Sequence, residues 1–110
     1  MSNIKIFRAN RGEGKTKWLA ERVKERADAG YNCYYLGSDK SFDAVKTLYE
    51  ATYREICPMK RREDFNYTSN NCFFTDEYFE NLVPVFMQQI GIRIYDISWY
   101  ITMSNEDFVN

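Results

Sequence analysis

A lysine and a threonine, Lys15-Thr16, stand directly behind a polar, glycine-bearing turn, Ala9-Asn10-Arg11-Gly12-Glu13-Gly14. In front of the turn, Ile4, Ile6 and Phe7 predict a short strand. Behind it, Lys17-Trp18-Leu19-Ala20 opens a helical pattern. Strand, glycine turn and helix in that order form a phosphate cradle. Gly14 has no Cβ to hold an anion away from the backbone. The N–H groups of the turn and of the first helical residues then point at the anion. The Lys15 ammonium can reach the terminal phosphates of a nucleotide, and the Thr16 hydroxyl can ligate Mg2+. The alternative is a strand-to-helix turn that carries a surface lysine.

A second set of residues bears on the same chemistry. Cys72-Phe73-Phe74-Thr75-Asp76-Glu77 is a short apolar run ending in two adjacent carboxylates. Asp76, at the end of the run, can hold Mg2+ directly or through water. Glu77, one residue on, can polarise an attacking water. The bland alternative is an exposed acidic pair at a helix N-terminus, where the helix dipole favours it.

The elements that must position these groups are legible as alternating strands and helices. Residues 16–29 predict a helix with Trp18, Leu19, Val23 and Ala27 toward the core and a charged outer face, ended by Gly30 at the C′ position. Tyr31 to Leu36 predicts the second strand. Gly37-Ser38-Asp39 follows at the sheet edge where the glycine turn lies, with Asp39 or Ser41 as the cap of the next helix. That helix is expected over 41–56, with Phe42, Val45, Leu48, Tyr49, Thr52 and Ile56 on one stripe, stopped by Cys57-Pro58. Lys60, Arg61 and Arg62, followed by Phe65 and Tyr67, read either as a solvated loop balanced by Glu63 and Asp64 or as a small nucleic-acid contact. A third helix is expected from near Asn81 to Ile90, ended by Gly91. A fourth strand begins at Ile92 and can run to Met103. The tail from Ser104 is polar.

Composition narrows the class. With 110 residues, 45% apolar and 17% aromatic, the chain is expected to be one globular domain over 1–110. A net charge of −1 gives no overall field for nucleic acid. The absence of histidine excludes histidine catalysis and most zinc sites. Cys33, Cys57 and Cys72 are widely spaced and form no CxxC, so buried free thiols in a reducing cytoplasm are expected. No apolar run is long enough to span a membrane.

The order strand, GKT loop, helix, strand, helix, strand with Asp-Glu, helix, strand resembles the P-loop NTPases that carry an additional catalytic glutamate. That class holds RecA-like ATPases, AAA+ proteins and viral DNA-packaging motors. Arg11-Gly12-Glu13-Gly14-Lys15-Thr16 is similar to the loop of phage terminase-type ATPases, and Phe73-Phe74-Thr75-Asp76-Glu77-Tyr78-Phe79 to their Walker B strand. Ala9 stands where the family's first glycine usually lies. The resemblance implies an α/β three-layer sandwich with a short, mostly parallel four-stranded sheet. It also implies a nucleotide site over Asn10, Arg11, Gly12, Glu13, Gly14, Lys15, Thr16 and Lys17. Lys15 and Glu77 would be catalytic, Thr16 and Asp76 would serve Mg2+, and ATP would be the nucleotide; Arg11 would touch its γ-phosphate. The strand after Walker B would lie between the other two and end in a polar sensor residue. Ser98 is the choice here over Asp96 and Thr102.

No counterpart of the family's further strand beside the first one is expected, so an open edge is expected there, and Lys5 in that first strand fits an uncovered position. The resemblance therefore implies a minimal ATPase core of phage or mobile-element type. It would be cytoplasmic (the host cytoplasm if viral), act on DNA or protein, and self-associate or dock on another ATPase through the edge. Two other readings stand beside it. One is a non-catalytic accessory or inhibitor protein of a host or viral ATPase. The other is a nucleoside kinase, since thymidine kinases share the GKT loop, the Asp-Glu strand end and a strand similar to GIRIYDI.

Overall fold

A computed structural model describes residues 4–10, 12–66, 70–76, 88–89, 91 and 97–104. Within them the chain runs β1 (Ile4–Arg8), α1 (Lys15–Asp28), β2 (Asn32–Leu36), α2 (Asp39–Tyr53), β3 (Lys60–Arg61), β4 (Asn71–Asp76) and β5 (Ser98–Met103). A single 3-10 turn, Arg62–Asp64, follows β3. Gln88 and Gln89 are helical. The rest of the third helix expected over 81–90 falls outside the described residues, as do residues 92–96.

The sheet has five strands in the order β1-β5-β4-β2-β3, and every pairing is parallel. The four-stranded expectation is corrected by the two-residue strand β3, which pairs with β2 at Tyr34↔Lys60 and Tyr35↔Arg61. Burial of Cys57 and Met59 on either side of Pro58 draws this stretch onto the sheet margin. Arg61 is also held there. Its guanidinium lies 4.3 Å from the centre of the Phe42 ring, bonds to Asp39 and approaches Asp43 at 3.7 Å. The charge of Arg61 is thus met within the fold.

Parallel strands covered on both faces read as near-continuous apolar runs, and β4 is buried from Asn71 to Thr75, with Asn71 and Thr75 its buried polar members. Side chains alternate between two clusters. Cys72 and Phe74 join Leu19, Val23, Phe42, Val45, Tyr49 and Tyr100 under α1 and α2. Phe73 joins Tyr34, Leu36, Trp99, Ile101 and Met103 on the opposite face. Rings tie the elements together. Phe7 stacks on Trp18 at 5.3 Å, Phe74 on Tyr100 at 5.3 Å and Phe73 on Trp99 at 4.9 Å. Each fully buried leucine, valine or phenylalanine contributes roughly 1.5–3 kcal/mol.

Helix α1 follows its expected bounds within a residue. Its buried side chains are Leu19, Ala20 and Val23, with Trp18 and Ala27 half-buried at the margin. It ends in a Schellman arrangement: the Gly30 N–H donates to the Ala27 carbonyl at 3.0 Å and the Tyr31 N–H to that of Arg26 at 3.0 Å. Helix α2 departs further from expectation. Ser38, not Asp39 or Ser41, is its cap, its hydroxyl accepting from the Ser41 N–H at 3.1 Å. The helix stops at Tyr53 because Arg54 turns left-handed at φ 58°. Ile56 is consequently 85% exposed, and Thr52 is exposed as well. The turn at Arg54 carries Glu55 back to α1. There its carboxylate accepts from Lys24 Nζ at 2.6 Å and from the Tyr49 hydroxyl at 2.9 Å. No helix among the described residues is long and apolar enough to cross a membrane.

Candidate functional site

β1 runs directly into the glycine turn, and the turn into α1. The Ala9 N–H still donates to the Met103 carbonyl at 3.1 Å, so the chain leaves the sheet just past the end of β5. The Glu13 N–H then donates to the Asn10 carbonyl at 3.1 Å. Gly12 has φ 83° and Gly14 φ 91°, values that side-chain-bearing residues rarely adopt. Gly14 is the N-cap of α1 and gives no side-chain cap; no acidic residue lies in the first turn. Lys15 is the first helical residue and Thr16 the second. Both are half-buried, whereas Asn10, Gly12, Glu13, Gly14 and Lys17 are exposed. Helix N-termini carry positive potential and outward N–H groups, so this end of α1 favours an anion.

Across the sheet, Asp76 is the last residue of β4 and lies beside Thr102 of β5. Thr102 in turn lies beside Phe7 of β1. Asp76, Thr102 and Phe7 therefore form one row at the carboxyl ends of three adjacent strands, and the glycine turn starts two residues beyond Phe7. Pleating puts this row's side chains on the helix-bearing face. Phe7 stacks on Trp18 of α1, and Phe74 and Tyr100, two residues back from Asp76 and Thr102, belong to the cluster beneath the helices. Thr102 is fully buried, and its hydroxyl donates to Asp76 Oδ1 at 2.7 Å. A hydrogen bond to a charged acceptor is typically worth about 1.5–3 kcal/mol. Thr102→Val should therefore lower unfolding free energy by about 1–2 kcal/mol, read by urea denaturation. An unchanged midpoint would mean that the bond contributes nothing net.

The strand registers put the loop residues, Lys15, Thr16 and Asp76 at the same end of the sheet. Ser98 is not among them. It opens β5 and pairs with Cys72 at the start of β4, at the opposite end of both strands. The expected strand from Ile92 made Ser98 an end residue; β5 instead begins there. Of the three sensor candidates, Thr102 lies beside Asp76, and Asp96 falls outside the described residues. Arg11 and Glu77 also fall outside them. Asp39 stands past the end of β2 as the first residue of α2 and is engaged with Arg61.

One contact was not anticipated from the sequence. The Glu13 carboxylate accepts from the Asn10 N–H. The spacing Asn-x-x-Glu, with an acid three residues after a polar turn residue, is the signal that could have found it.

The three thiols take no part in this chemistry. All are buried and free. Burial pushes the Cys33 thiol up to about 12 and raises Cys57 and Cys72 as well, so none is a thiolate at neutral pH. A small cavity of about 130 Å³ between α1 and α2 is lined by Lys17, Ala20, Glu21, Leu48, Thr52 and Tyr53, with neither Asp76 nor Thr102 in its wall. No protein-family model matches the chain, and no curated protein matches it.

Proposed function

We propose that the chain is a minimal P-loop protein that binds Mg·ATP and hydrolyses it, coupling the nucleotide to the handling of DNA or of another protein. The observation that carries this reading is the row Asp76–Thr102–Phe7, which sets the acidic strand end one strand away from the strand that feeds the Gly14-Lys15-Thr16 turn. The strand order β1-β5-β4 supports it, because the sensor strand of this class lies between the loop strand and the acidic strand.

On this reading the turn and the N-terminus of α1 hold the phosphates through backbone N–H groups. Lys15 neutralises the charge of the terminal phosphates. The donor set of Thr16 hydroxyl and Asp76 carboxylate is oxygen only, which suits Mg2+; when bound, the ion supplies charge neutralisation at the phosphates. Thr102 fixes the orientation of Asp76. Glu77, next along the chain, accepts a proton from the attacking water. Arg11 reaches the γ-phosphate. β1 lies at one margin of the described sheet with Ile6 42% exposed, and that margin is where we place contact with a second copy or a partner ATPase.

Phosphate release tests the catalytic half. Glu77→Gln should bind Mg·ATP as the wild type does while turning over roughly 100-fold more slowly. Equal turnover in the two proteins would remove Glu77 from the reaction.

A further inference from the structure

Glu13 stands inside the glycine turn and binds it from both sides. Its N–H donates to the Asn10 carbonyl at 3.1 Å. Its carboxylate accepts from the Asn10 N–H. Gly12 lies between the two residues and Gly14 follows. Among the described residues, no heavy atom from beyond the adjacent residues comes within 4 Å of where a Cβ on either glycine would stand. A carboxylate on a backbone N–H makes the same charge-assisted bond that a phosphoryl oxygen makes. Asn10 thus already serves an anionic oxygen, and that oxygen comes from the turn itself. The first turn of α1 brings no other acid to compete for the position.

We propose that the Glu13 carboxylate is a built-in competitor for phosphate: it holds the Asn10 N–H and yields it when a nucleotide phosphoryl group enters the turn. This rests on the nucleotide-binding reading above and specifies how that site is restrained. Two anions cannot share one N–H, and a carboxylate left beside a triphosphate repels it. Glu13 therefore sets the affinity of the loop below what its backbone alone would give.

Glu13→Gln keeps the size of the side chain and an oxygen acceptor for the turn while removing the charge. Calorimetric titration with Mg·ATP should show the variant binding about tenfold tighter than wild type, the scale of one charge-assisted contact. In wild type, the Glu13 carboxyl carbon resonance should move on saturation with Mg·ATP. Binding by the variant where wild type shows none would support the proposal in a stronger form. Equal or weaker binding by Glu13→Gln, or an unmoved carboxyl resonance at saturation, would overturn the competitor role and leave the nucleotide site standing. Absence of binding in both proteins, each folded by circular dichroism, would overturn both together.

Discussion

Lys15→Ala should weaken Mg·ATP binding by roughly 100-fold, a loss of about 2.7 kcal/mol, while the protein remains folded. The size follows from where Lys15 sits. It is the first residue of α1, half-buried, directly after a left-handed Gly14 that turns the loop over the helix end. On the proposed reading, a single ammonium so placed would meet the most highly charged part of a nucleotide, at a helix end whose dipole favours anions. Alanine is the best residue for a helix interior, so the helix itself loses little. Calorimetry on wild type and variant, with melting curves for both, separates the two effects. Retained affinity in Lys15→Ala would exclude the Lys15 ammonium from phosphate binding.

Trp99→Ala should cost about 3–5 kcal/mol of stability. Trp99 has no exposed surface and stacks on Phe73 at 4.9 Å. It belongs to the central strand of the β1-β5-β4 trio, paired with Ile4 on one side and Phe73 on the other. Removing the indole leaves a cavity that two flanking parallel strands cannot close without breaking register. Small domains hold only about 5–15 kcal/mol in total, so the variant should unfold at a markedly lower urea concentration. Because β5 carries Thr102 and positions β1 against β4, any nucleotide affinity should fall with it. A loss below about 1 kcal/mol would mean that the second cluster is not a packed core.

Much of this arrangement is legible in the chain, for physical reasons that differ from element to element. β4 could be read because a doubly covered parallel strand carries an apolar run, and Cys72 to Phe74 is one. Helix α1 could be read because Gly14 and Gly30 mark its two ends. The end of α2 could not, because its terminating residue is Arg54, and nothing in an arginine announces a left-handed conformation. The periodic stripe ran on to Ile56, which the structure leaves exposed. β3 was missed because two residues carry no period. In the candidate site, Lys15, Thr16 and Asp76 were identifiable from their neighbours along the chain. Thr102 was only one of three options, because its partner Asp76 is adjacent through strand pairing and distant in sequence. Ser98 was preferred because the strand was expected to start at Ile92, and a shift in the position of β5 exchanges its two ends.

The most direct test of a nucleotide site is a calorimetric titration of the wild-type protein with ATP, in the presence of Mg2+ and again with the metal chelated. The account predicts saturable binding at one site per chain, weakened when Mg2+ is withdrawn because Thr16 and Asp76 then have no ion to share with the phosphates. Absence of binding at millimolar Mg·ATP, by protein shown to be folded, would contradict it.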